Sequence, residues 1–223
     1  MKITGLAVLF LIVLSFALSI YYYPQMPERM AVHWNISGQA DGYMSKFWGI
    51  FLLPLVITGM AALFMVIPRI DPLKANIKEF IGYYYGFIIL ILLFMISVHF
   101  YVILWNLGLT ISPMFVFPLG IGIIFFYLGI LLEKCKRNWF IGIRTPWTLS
   151  SDVVWNKTHK IGGKLFKIAG IISLFGLLVP DYAFFLVFIS IVSVSIFTII
   201  YSYIEYQKLP KKKRKRIIRQ HSH

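Results

Sequence analysis

Residues 3–23 read ITGLAVLFLIVLSFALSIYYY. This is a run of roughly twenty apolar residues, and at 1.5 Å rise per residue a helix of that length crosses a hydrocarbon core of ~30 Å. Hydrocarbon offers no partner to an open amide, so such a run must be helical. It is long for the apolar part of a signal peptide, and no small-x-small cleavage site follows it. It therefore reads as an uncleaved first span. Five more apolar runs follow, at about 47–67, 81–104, 114–132, 161–179 and 182–206. The fold expected is an all-α integral membrane protein, a bundle of six transmembrane helices.

Composition agrees with this. The 223 residues are 59% hydrophobic and 13% charged, with a mean hydropathy of +0.80. Soluble domains average about half apolar and a quarter charged. The net charge of +14 is no nucleic-acid footprint, because the basic residues lie in the links and the tail. Links 68–80 and 133–160 and the tail hold most of the Lys and Arg, while the opposite side holds only Arg29 and Lys46. The positive-inside rule puts both termini in the cytoplasm of a multi-pass cell-membrane protein. The fifth run is the least apolar, since Lys164 and Lys167 must snorkel to the inner interface. The single cysteine, Cys135, precludes an intrachain disulfide framework, and its neighbours Lys134, Lys136 and Arg137 place it on the reducing side. Three parts are expected: a two-helix unit over 1–68 with a structured outer loop at 24–46, a four-helix unit over 69–206 with a long inner link at 133–164, and a basic tail over 207–223. The tail's KKKRKR, 211–216, suits attraction to anionic membrane lipids.

Two polar passages interrupt the apolar pattern. The outer one, HWNISGQADGYMSK at 33–46, follows Pro24 and Pro27, which stop the first helix. Gly38 and Gly42 permit turns around Asp41, and Trp34 and Tyr43 suit the interface. A folded cap over the bundle is expected, with His33, Asn35, Gly38, Asp41 and Lys46 as candidates for recognising an extracellular ligand. The inner passage is NWFIGIRTPWTLSSDVVWNKTHKIGGK, 138–164. Gly142 and Pro146 break the chain around Arg144 and Thr145. Ser151 is expected to N-cap a short helix with Asp152 in its first turn. Trp155 and His159 then share one face at i, i+4. The passage is either an interfacial anchor or a partner surface, and the candidates for the surface are Asn138, Arg144, Thr145, Pro146, Trp147, Trp155 and His159.

No HExxH, GxSxG or phosphate loop occurs, so no catalytic residue or cofactor is assigned. His33 and His99 are weak metal candidates; with Asp41 and Asp181 they are spread over the outer passage, the third run and the link before the sixth, and nothing in their spacing demands convergence. His99 is expected instead to hydrogen-bond a neighbouring helix.

MPERMAVHWNISGQADGYMSK (26–46) resembles the outer-loop pattern of a small membrane domain of unknown function. NWFIGIRTPWTLSSDVVWNKTHKIGGKLFKIAG (138–170) is similar to the signature of SdpI-type proteins, the immunity and signalling proteins of peptide-toxin systems. DPLKANIKEF (71–80) resembles that family's first cytoplasmic loop. The resemblance implies a non-enzymatic multi-pass protein that protects against, or senses, a secreted toxic peptide and tethers a cytosolic repressor. It does not extend to the basic tail. Read from the residues alone, a small-solute or ion transporter is the rival, with an intramembrane metal-dependent enzyme behind it. No direct nucleic-acid contact is expected, and the oligomeric state is left open.

Overall fold

The computed structural model describes residues 2–210, so the basic run 211–216 lies outside the described residues. In chain order the elements are α1 (Lys2–Tyr22), β1 (Arg29–Trp34), β2 (Ala40–Ser45), α2 (Lys46–Ile70), α3 (Lys74–Lys78), α4 (Ile81–Asn106), α5 (Pro113–Lys134), α6 (Pro146–Ser150), α7 (Asp152–Phe175) and α8 (Ala183–Gln207). The chain is mostly helical. Among the described residues, five helices are long and apolar enough to cross a membrane: α1, α2, α4, α5, and α8 with the 3-10 turn before it. The expected fifth run falls in α7. That helix ends at Phe175, and Lys157, Lys160, Lys164 and Lys167 leave too short an apolar stretch for it to join the five. The short helix expected after Ser151 and the fifth run are one continuous helix. Ser151 holds its N-cap position, but its buried hydroxyl caps nothing and has no partner.

The helices pack as two groups, α1 with α2 and α4, and α5 with α7 and α8, joined where α4 meets α5. In the first group Val8, Ile57, Ala61, Ile88 and Leu92 build the core. Toward the end from which residues 29–45 extend, Ser19 Oγ donates to the Ile50 carbonyl at 2.9 Å and lies 3.0 Å from His99 Nε2, so one hydroxyl ties α1, α2 and α4. This is the neighbouring-helix bond expected of His99.

The second group is held by backbone approach. Lipid tails are as apolar as leucine, so association in a membrane relies on close packing of small residues. Gly122 and Gly129 lie seven residues apart on α5, and Gly163 and Gly170 seven apart on α7. They meet antiparallel, Gly122 with Gly170 and Gly129 with Gly163. A Cβ on Gly170 would sit 2.6 Å from the Gly122 carbonyl oxygen, and one on Gly163 2.7 Å from that of Gly129. Lys167 and Glu133 bridge the same two helices at 2.8 Å.

The outer loop departs from the all-helical expectation. Residues 29–45 form a two-stranded antiparallel hairpin, with Arg29 opposite Ser45 and Trp34 opposite Ala40. Met30, Val32 and Trp34 recur at period two and pack toward the helices.

Candidate functional site

The hairpin is clamped down by α4. The Asn106 side chain accepts from the Ala31 amide at 2.8 Å and donates to the Ala31 carbonyl at 2.9 Å. An amide side chain thus stands in for a third strand at this sheet edge. Below, Met30 is fully buried against Gly49, where a Cβ would collide with its side chain. At the tip, Asn35 Oδ1 accepts from the amides of Ser37 (2.9 Å) and Gln39 (3.0 Å), and Gly38 takes φ +76° against Pro113 at the start of α5.

Hairpin and helices line a half-open apolar cavity of about 750 Å³. Its walls include Val32, Trp34, Met44 and Trp48 beneath the hairpin, Phe117 of α5 and Phe184 of α8, with His33 and Asn35 also lining it. His33 Nδ1 lies 2.6 Å from Asp41 Oδ1 across the two strands, both side chains accessible. Such a site suits a ligand with an apolar body and a hydrogen-bonding edge. Lys46 turns away to the hairpin base, 3.8 Å from Glu28 and over the Tyr23 ring.

On the other side, residues 135–151 fold around buried polar groups. Asn138, fully buried, donates to the Lys136 and Ile141 carbonyls and accepts from the amides of Phe140 and Ile141. Asp71, from the link after α2, accepts from the amides of Trp139 and Leu73. Trp155, fully buried, donates to the Cys135 carbonyl at 2.9 Å and stacks on His159 with ring centroids 3.9 Å apart. His159 Nε2 accepts from the Ile143 amide, so its proton is on Nδ1, which donates to the Trp155 carbonyl. Gly142 has φ +113° and lies where any Cβ would strike His159 Nε2, so glycine is required twice over. Thr145 and Thr148 form a reciprocal capping box at the start of α6, and Thr145 Oγ1 meets Ser202 Oγ of α8 at 3.0 Å.

The outer candidates are thus gathered in one hairpin, with His33 and Asn35 on the cavity, His33 paired to Asp41, Gly38 in the turn and Lys46 apart. The inner candidates divide. Asn138, Thr145, Trp155 and His159 are buried and hold the loop's shape, whereas Arg144 and Pro146 are exposed and Trp147 is half-buried against Tyr203. Arg144 donates to the Trp139 carbonyl; it is Arg137 that pairs with Asp152, at 2.6 Å. Among the described residues no three His, Cys, Asp or Glu converge, and His33 and His99 lie in separate networks. Sequence reading missed Asn106 and Asp71. Each is a polar residue just where an apolar run ends, and that position was the available signal.

The SdpI/YfhL protein family matches residues 134–202, and a domain of unknown function (DUF1648) matches residues 10–58. The first match covers the folded inner link, α7 and most of α8; the second takes in most of α1, the hairpin and the start of α2. The chain is similar to "Immunity protein SdpI" of Bacillus subtilis (strain 168), at 26% identity over 200 residues, covering 89% of this chain and 94% of that protein. No solved structure matches.

Proposed function

We propose, since this chain belongs to the SdpI/YfhL family, that it is an immunity protein of the cell membrane which recognises a secreted toxic peptide at the hairpin-capped cavity. The observation that carries this reading is the cavity itself. It is large, apolar and roofed by a hairpin that presents His33 and Asn35 to it, with Asp41 paired to His33. A toxic peptide that acts on membranes needs an apolar surface, and such a surface is what the cavity accommodates. The test is survival. Cells carrying the chain should tolerate a peptide dose that kills cells without it. The double variant His33→Ala/Asp41→Ala should lower the tolerated dose roughly tenfold, the loss of about 1.4 kcal/mol of recognition, with unchanged protein in the membrane. Full protection by the double variant would reduce the hairpin rim to a structural role.

In this reading α7 is the sixth span and both termini are cytoplasmic. Support comes from its antiparallel seating against α5 and from Lys160 and Lys164 toward its N-terminal end, which can snorkel to the inner interface. Cysteines introduced at Ser37 and at Asn156, both exposed, should label from opposite sides of the membrane with an impermeant thiol reagent. The native Cys135 does not interfere: it is buried, and burial pushes its thiol up to about 12 despite the Asn138 amide. Labelling of both positions from outside would overturn the topology.

A cytosolic regulator would then meet Arg144, Pro146 and Trp147. Arg144 has one guanidinium nitrogen on the Trp139 carbonyl and keeps its other donors for a carboxylate.

A further inference from the structure

We propose that the crevice between the end of α5 and the first half of α7 is a phosphate-binding site that takes the headgroup of an anionic lipid. The crevice has a volume of about 490 Å³ and is lined by Lys134, Lys136, Lys160 and Lys164, with Asn156 and Glu133. It shares no residue with the outer cavity and does not depend on the immunity reading.

Charge decides what fits. Four lysines line this space against one carboxylate, and that carboxylate is occupied elsewhere, since Glu133 Oε1 lies 2.8 Å from Lys167 Nζ. Lys136 is 3.6 Å from Glu79, but both side chains are about half exposed, so the contact is weak. Lys134 sits over the Tyr83 ring. Lys160 and Lys164 meet no carboxylate among the described residues. They are one helical turn apart on one face, with Asn156 a turn earlier, and like charges at that spacing disfavour the helix by a few tenths of a kcal/mol. An anion between them removes the repulsion and gains charge-assisted bonds. The carbonyl end of α5 also points here and opposes an anion with about half a charge, which four lysines outweigh.

Depth decides the source. The five apolar helices include α4, which begins at Ile81, and α5, which ends at Lys134, so the crevice lies where hydrocarbon gives way to headgroups. A basic pocket between helices on the cytoplasmic side is suited to an anionic headgroup. His159, which also lines the crevice, is a fixed part of its wall, because both its ring nitrogens are engaged within the loop.

The experiment is native mass spectrometry of the full chain in non-ionic detergent, titrated with phosphatidylglycerol or phosphatidylcholine. Wild type should retain phosphatidylglycerol about tenfold better than phosphatidylcholine. Lys160→Gln/Lys164→Gln should erase the preference. Lys74→Gln/Lys78→Gln, an equal charge loss on α3, should keep it, and Lys160→Arg/Lys164→Arg should restore most of it. All four lysines are exposed, so folding is not at stake, and a thermal melt checks this. Displacement of the lipid by millimolar inorganic phosphate would keep the phosphate site but make a soluble phosphorylated molecule its occupant. Equal retention of the two lipids by wild type, or an unchanged preference in the glutamine variant, would overturn the proposal.

Discussion

Gly129→Leu should leave almost no folded protein, and Gly170→Leu should do the same. At each position the first side-chain atom meets a neighbouring backbone. A Cβ on Gly129 collides with the Gly163 carbonyl oxygen, and one on Gly170 lies 2.6 Å from the Phe126 amide nitrogen. A flexible side chain can rotate out of the way, but a helix backbone cannot. Relief requires α5 and α7 to separate along their whole crossing, which also stretches the Glu133–Lys167 bridge. Overpacking a core typically costs about 1–3 kcal/mol, and occasionally more, where side chains can adjust; here the obstacle is main chain, and the cost belongs at or beyond the top of that range. The control is Gly59→Leu on α2, where nothing lies within 4 Å of a built Cβ. The measurement is the yield of monodisperse protein in detergent together with its thermal midpoint. Equal yield for Gly129→Leu and Gly59→Leu would mean that the α5–α7 crossing does not hold this half of the molecule.

That crossing shows where the sequence was legible and where it was not. The spans were readable because transfer of apolar groups from water sums over some twenty residues, so no single position matters. α7 blurs the signal for the same reason. It gives its small residues to α5 and carries Lys157, Lys160, Lys164 and Lys167, and each of these lowers the apolar sum that marks a span. Gly122, Gly129, Gly163 and Gly170 stood in plain view, yet their pairing depends on two segments some forty residues apart meeting antiparallel at one height. The hairpin is a different case. Met30, Val32 and Trp34 alternate, and Asn35 to Gly38 is a turn. The period-two signal covers only six residues, and the surrounding helices overshadow it. His33, Asn35 and Asp41 could be singled out as candidates because turn-forming and polar residues are rare in so apolar a chain. Asp71 and Asn106 escaped because their partners are backbone groups 68 and 75 positions away.

Trp155→Ala should destabilise the inner loop by about 3–5 kcal/mol, the usual cost of truncating a buried tryptophan or phenylalanine, and should abolish capture of any cytosolic regulator without Trp155 ever touching it. The side chain is fully buried, donates to the Cys135 carbonyl and stacks on His159, which in turn receives the Ile143 amide. Truncation leaves a void beneath Gly142, an unpaired carbonyl at the end of α5, and an imidazole free to tilt off the amide it accepts from. The path of 139–145 then loses its template, and with it the position of Arg144. Trp147 is the contrasting case. It is half-buried, packs edge-on against Tyr203, and lies beside the exposed Arg144 and Pro146. Trp147→Ala should cost far less stability and still weaken regulator capture, because a tryptophan at a protein–protein contact contributes much of its energy. Two readouts on one set of variants separate folding from contact. Native-state hydrogen exchange of the 135–151 amides reports the loop, and co-purification of the regulator reports the surface. Protection should collapse in Trp155→Ala and persist in Trp147→Ala and Arg144→Lys, with recovery of the regulator reduced in all three. Retained exchange protection in Trp155→Ala would show that the polar groups Asn138 and Asp71 hold the loop without it. Undiminished recovery with Trp147→Ala and Arg144→Lys would move the regulator's contact off this segment altogether.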